Sequence, residues 1–331
     1  YKKNIELDCY NYWLFNAAMK LQQLRYLVAI RQHGLNVSEA AEQLYTSQPG
    51  ISKQVKLLEG ELGVVIFERS GKRLVGVTEP GAKVLDMAER VLREAENLKR
   101  VGTEYAGGEA GKLVLAVTHT QARYALPEAV RDFVSRHPRV KLEMHQGSPI
   151  QIAEWVVSGA ADLGIASEAL DQYEELVTLP VRQWTHCVIA PTGHPILAHP
   201  SLSLSELARW PLVTYDTAFA GRPRITRAFE RFGVEPNFVL TALDADVIKT
   251  YVGLGLGLGI ISGLAFDAQR DTGLQAIEAG HLFESSTTRI ALRRGIYLRR
   301  FDYDFIALFA PHLTAKVVDM AMQGGGAEYD L

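Results

Sequence analysis

At 331 residues, with 47% hydrophobic and 22% charged side chains, the chain has a globular composition and room for two or three domains with their own cores. No stretch reaches the roughly 18 uninterrupted apolar residues of a membrane-spanning helix. Cys9 and Cys187 stand far apart, which excludes a disulfide framework and a metal-ligand spacing and points to a reduced, cytoplasmic setting.

The net charge of −3 conceals an asymmetry. Residues 19–77 hold eight basic and five acidic side chains, a net of +3, while everything after Val77 sums to −6. A basic head on an acidic body suits a nucleic-acid reader whose other domain stays off the phosphates.

Residues 1–18, "YKKNIELDCYNYWLFNAA", start like a signal peptide, but Glu6 and Asp8 break any apolar core. They read as an upstream extension outside the fold. From Met19 the pattern sharpens. Leu21, Leu24, Leu27, Val28 and Ile30 repeat at helical spacing up to His33-Gly34. Ser38 to Leu44 is a second short helix, with Ala40 and Ala41 permitting close packing. Ser47 is a good N-cap for a third, whose first turn is Gln48-Pro49-Gly50 and whose buried stripe is Ile51, Val55 and Leu58. Three short helices with a tight second turn make a helix-turn-helix. "VVIFER" and "RLVGV" flank Ser70-Gly71 as a hairpin wing, which carries Arg69, Lys72 and Arg73 at its tip.

Thr78 caps a long helix reaching to about Val101. Val84, Ala88, Val91, Ala95 and Leu98 form its apolar seam, broadened by Leu85 and Leu92. Such a seam is served by a second copy of the helix, or by the flank of its own domain. "AGGEAG", residues 106–111, is the hinge. Strands and helices then alternate to about residue 322 in a doubly wound α/β pattern. The first lobe is read as 112–180 with 282–322 returning to it, the second as 181–281, and 323–331 as a disordered tail.

The order and the long motif "AAEQLYTSQPGISKQVKLLEGELGVVIFER", followed by "VTEPG", resemble the LysR-type transcriptional regulators over Met19 to about Met322. "YTSQPG", "THTQARY", "QGSP", "TAFAGR" and "DADVIKTYV" are similar to the CysB-like branch, which controls cysteine biosynthesis and sulfur assimilation. The resemblance implies a multidomain architecture. An N-terminal all-α winged helix-turn-helix (19–77) leads through a dimerisation helix (78–105) to a two-lobed α/β effector domain of the type-2 periplasmic-binding-protein kind. It also implies a dimer of dimers on promoter DNA, contact with RNA polymerase, an acetylserine-type inducer and sulfate or thiosulfate opposing it.

Physical chemistry gives the residues their roles. Near the start of a helix entering the major groove, Gln48 is shaped to pair with adenine and Pro49 to touch a thymine methyl. Ser47, Ser52, Lys53 and Gln54 flank them. Lysine at 53, where the family usually has arginine, keeps the charge but loses the planar fork for guanine. Arg69, Lys72 and Arg73 suit phosphates or the minor groove. In the rear domain, the hydroxyls and amide of Thr118, Thr120 and Gln121 after a strand suit an anion without any formal positive charge. By resemblance they face Ser167 and the Ala220-Gly221-Arg222 segment across a cleft, with Trp184 as a wall or as hinge core. Ala220 replaces a threonine of some relatives and removes one donor.

Three features invite other chemistry. His119 reads as packing rather than catalysis. "GLGLGLG", Gly253 to Gly259, lacks the spacing of a dinucleotide loop and reads as a helix exit. Asp246 reads as a helix cap rather than a metal ligand. Nothing has the spacing of a catalytic triad or a metal site, so no cofactor is expected and an enzyme or a solute-binding protein is the distant alternative. A regulator of sulfonate or other alternative sulfur sources is the nearer one.

Overall fold

A computed structural model of the chain describes residues 19–71, 73–107, 110–198, 202–217 and 221–324. The expected extension at 1–18, most of the tail, Lys72 and Ala220 lie outside the described residues. The chain divides into two compact units, residues 1–101 and 102–331.

In the first unit, α1 (Leu21–Gln32), α2 (Val37–Gln43) and α3 (Gln48–Leu62) are followed by β1 (Phe67–Ser70), β2 (Arg73–Val77) and the long α4 (Glu79–Gly107). The Ser47 hydroxyl accepts from Gly50 N at 3.2 Å, and Thr78 Oγ1 accepts from Gly81 N at 3.0 Å, so both expected caps form. Asn36 caps α2 by accepting from Ser38 and Glu39 N–H groups. Leu24, Leu27, Ile30, Ala40, Ala41, Ile51, Val55 and Leu58 close the core under the antiparallel β1–β2 wing. Leu85 and Ala88 of α4 are buried in this same core, and Arg31 pairs with Asp86 (2.8 Å) and Glu89. The start of the apolar seam is therefore used within its own domain. Leu92 still packs against that core, while Val91 and Leu98, the latter at 73% exposure, face outward. The helix runs to Gly107, six residues past Val101 and two past the bound that the resemblance implies.

The second unit contains two five-stranded mixed sheets. The first has the order β4-β3-β5-β12-β6, built from β3 (Gly111–Val117), β4 (Val140–Gln146), β5 (Leu163–Ala166), β6 (Leu176–Trp184) and β12 (Ser286–Arg293). Along β3, Leu113, Leu115 and Val117 face α5 (Pro127–Arg136), α10 (Arg300–Phe309) and α11 (Ala315–Met322), while Val114 and Ala116 face α6 (Pro149–Ser158). This is the period of two expected of a strand covered on both sides.

The second sheet has the order β11-β7-β10-β8-β9, from β7 (His186–Pro191), β8 (Leu212–Tyr215), β9 (Phe238–Ala242), β10 (Leu258–Ser262) and β11 (Leu274–Glu278). The short α7 (Leu204–Leu207) and α8 (Arg222–Arg231) cover one face, and α9 (Ala245–Gly253) the other. The chain crosses between sheets twice, at Thr185 and between Glu278 and Ser286. Val181 to Trp184, expected in the second lobe, are the end of β6 and belong to the first sheet. β6, β11 and α11 carried no sequence reading of their own.

The glycine run resolves as an exit from α9. Leu258 already starts β10, and a side chain at Gly257 would lie 2.2 Å from the Pro211 carbonyl oxygen. The helix cap needs correction: Asp244, not Asp246, caps α9 by accepting from Val247 N at 2.9 Å.

Candidate functional site

Two separate constellations stand out, one in each unit. In the first, the Ser47 cap starts α3 with Pro49 and Lys53 exposed and Gln48 and Ser52 half-buried. Gln48 Nε2 donates to Ser52 Oγ at 3.1 Å, which holds the amide along the helix. Gln48 and Arg73 line a concavity of about 500 Å³ with His33, Asn36, Ser38 and Glu39, four polar residues that the sequence reading missed. The side chains there come from the turn after α1, the starts of α2 and α3, and the wing.

Two residues expected to touch nucleic acid are engaged within the domain. Arg69 pairs with Glu59 at 3.1 Å, and Gln54 accepts from Gln23 Nε2 at 3.2 Å. Glu59 also accepts from the Ile66 and Phe67 N–H groups, so its pairing with Arg69 braces the wing against α3.

In the second unit, Thr118 to Gln121 leave the end of β3 and enter a π-helical turn, Gln121–Ala125, before α5. Gln121 is buried, and its Nε2 donates to Thr288 Oγ1 at 2.9 Å. Thr288 lies 3.5 Å from Ser167 Oγ, which accepts from Trp184 Nε1 at 3.0 Å. The Tyr215 hydroxyl, close to the buried Thr120, accepts from Ser262 N at 3.1 Å. Burial pushes the Tyr215 hydroxyl well above its ordinary pKa, so it stays protonated. Gln121, Thr288, Ser167 and Trp184 are thus joined in one polar chain along the seam between the two sheets, with Thr120 buried and Thr118 half-buried next to it.

Gly221 approaches the same seam from the second sheet. It has φ +75°, and a Cβ there would lie 2.7 Å from His186 Cε1, so only glycine fits without strain. His186 in turn packs edge-on against Trp184, with centroids 5.0 Å apart. The Arg222 guanidinium does not join this set. It donates to the Tyr215 carbonyl at 2.8 Å and stacks on Phe238 at 4.0 Å, holding the second lobe together. Arg224, two residues on, donates to Ser286 instead. Thr288, Tyr215, Ser262, Ser286, Glu168 and Arg224 were missed because nothing local marks them.

His119 is not core packing. Its Nε2 lies 3.8 Å from Asp246, whose oxygens also take Arg123 Nε and Tyr124 Oη, each at 2.6 Å. Lys249 donates to Tyr124 Oη at 2.9 Å and pairs with Asp271 at 3.1 Å. Burial raises the Asp246 pKa, but the Tyr124 hydrogen bond and the Lys249, Arg123 and His119 charges outweigh it and hold the carboxyl below its usual range. Ligand atoms of His119, Asp244 and Asp246 lie within 4.8 Å of one another. With Asp246 bound by Arg123 and Tyr124, and Asp244 capping α9, the arrangement is a clasp between lobes.

The chain matches two family models, the bacterial regulatory helix-turn-helix of the lysR family over residues 21–82 and the LysR substrate binding domain over 106–314. It is 53% identical to the HTH-type transcriptional regulator SsuR of Burkholderia cenocepacia, covering 89% of this chain and 96% of the relative. To the HTH-type transcriptional regulator CysB of the same organism it is 50% identical, over 95% and 100%. Among solved structures, the cofactor-binding domain of the Cbl transcriptional regulator shares 40% identity at a TM-score of 0.62, covering 64% of this chain and 93% of that one. The chain belongs to the LysR family of bacterial helix-turn-helix transcriptional regulators. Within it, the chain falls in the CysB-like sulfur branch, a group of DNA-binding regulators and not of enzymes.

Proposed function

We propose that the protein is a cytoplasmic activator of sulfur-assimilation and cysteine-biosynthesis genes whose DNA binding is set by a small anionic effector in the seam between its lobes. The observation that carries this reading is the linked set Gln121, Thr288 and Ser167, with buried Thr120 beside it, which offers hydroxyl and amide groups and no formal charge to a ligand. An acetylserine-type inducer and an opposing sulfate or thiosulfate fit that chemistry, held by Thr118, Thr120, Gln121 and Ser167, with Trp184 as a wall and the Gly221 and Arg222 backbone closing over them.

On the DNA side, Gln48, Pro49, Ser52 and Lys53 read bases from α3, and Arg73 and Lys72 grip phosphates. The outward part of α4 pairs two copies, and two such dimers bend a promoter and meet RNA polymerase. Effector binding acts by favouring one arrangement of the lobes through differential affinity. Control of sulfonate use is a second reading, favoured by Ala220, which takes a hydroxyl away from the pocket.

The test combines calorimetric titration with gel shifts on sulfur-gene promoters. Sulfate, thiosulfate, acetylserines and a sulfonate are each titrated against the protein. Binding by none of them, together with no preference for those promoters over scrambled duplex, overturns the reading.

A further inference from the structure

Beside the hydroxyl chain sits a carboxyl that the effector reading leaves unused. Glu168 follows Ser167 directly after β5. The Gly221 backbone N–H, from the other lobe, lies close to it and favours its charged form. Its Oε1 is buried and has no hydrogen-bond partner among the described residues. Gln121 Oε1 is in the same condition, and Gln121 connects to Ser167 through Thr288. Ser262 Oγ, in the residue hydrogen-bonded to Tyr215, is also buried without a partner there.

The seam thus has two kinds of unmet need. Its hydroxyls can donate to an anion, but Glu168 Oε1 and Gln121 Oε1 can only accept while Glu168 is ionised. Sulfate brings acceptor oxygens alone. It would leave both carbonyl-type oxygens unsatisfied and would meet the carboxylate as a like charge. A ligand that carries a negative group and also an N–H satisfies both sides.

We propose that Glu168 is a specificity-determining residue of this seam, selecting an effector that donates a hydrogen bond as well as carrying a negative charge over an anion that only accepts. The inference rests on the seam being the effector site. The charged groups around Glu168 are Arg224 on α8, which lowers its pKa, and Asp171, which raises it; His186 on β7 packs against Gly221. Burial is the largest influence and lifts the carboxyl to about 7. The selection therefore weakens in acid. Below that pH, Glu168 becomes a donor itself and accommodates sulfate.

The experiment is calorimetric titration of the full chain with N-acetylserine and, separately, with sulfate at pH 6 and pH 8, for the wild type and Glu168→Gln. In the variant, an amide that donates as well as accepts replaces a carboxylate that only accepts. N-acetylserine affinity at pH 8 is expected to fall about tenfold, equivalent to about 1.4 kcal/mol, while sulfate affinity rises and loses its pH dependence. Glu168→Asp, which keeps the charge but withdraws it by one methylene, is expected to lose N-acetylserine affinity without gaining sulfate. Equal changes for both ligands, or a lowered melting temperature with unchanged binding, would overturn the proposal and leave the effector site standing. Failure of the wild type to bind either ligand would overturn both.

Discussion

Tyr124 donates a 2.6 Å hydrogen bond to Asp246 across the seam, tying the turn after β3 to the first turn of α9. The two residues come from different lobes, and Arg123, His119 and Lys249 bring positive or ionisable groups to the same carboxylate. Lobe closure in this domain is therefore an electrostatic matter as well as one of ligand contacts.

The sign of its pH dependence follows. Asp246 is held below the ordinary carboxylate value of 3.8, so its contribution is complete above that pH and disappears as pH falls through the lowered value. Asp246→Asn is expected to cost about 0.5–1 kcal/mol at pH 7, a modest figure because the group is partly exposed. Thermal melts should show the gap to wild type holding down to about pH 4 and narrowing as the pH falls further. A gap that widens in acid would contradict the assignment.

The polar chain makes a second prediction. Thr288→Val keeps the shape of a fully buried side chain but removes the acceptor for Gln121 Nε2. An unmet buried amide costs about 1–3 kcal/mol, read as a lower denaturant midpoint. Thr118→Ala, in contrast, is expected to abolish ligand response while leaving basal DNA binding intact. Unchanged calorimetric affinity in both variants would place the effector elsewhere.

On the DNA-binding unit, Gln48→Ala and Arg73→Ala are expected to differ in kind. The first should lose about 1–3 kcal/mol on the preferred sequence alone, because base-edge contacts carry discrimination. The second should weaken binding to every duplex and reduce the salt slope by about one. Arg69→Ala should act mainly through stability, since its guanidinium is paired with Glu59. Fluorescence anisotropy across a salt series separates the three.

The long helix supplies the last contrast. Leu85 is fully buried in the first unit, so Leu85→Ala should cost about 2–5 kcal/mol of that unit's stability. Leu98 is 73% exposed, so Leu98→Glu should leave the fold intact and break the proposed dimer, a change visible by sedimentation. Dimers that survive Leu98→Glu would remove the pairing role from this part of α4.

The sequence by itself determined what acts over a few residues. Ser47 and Thr78 announce their helices because a cap needs only its own N–H three residues on. The 3.6-residue spacing of Leu24, Leu27, Ile51, Val55 and Leu58 similarly fixes which faces turn inward. The extended motif around Gln48 added the family. Tertiary structure decided the rest. It decided that Asp244 caps α9 and frees Asp246 for the clasp, that Arg222 serves its own lobe, and that Leu85 and Ala88 are spent before the seam of α4 turns outward. Gln121 meets Thr288 across 167 residues of chain, and Tyr124 meets Asp246 across 122. Such pairs leave no local pattern, because burial and partners are fixed only when two sheets, crossed twice by one chain, bring their edges together.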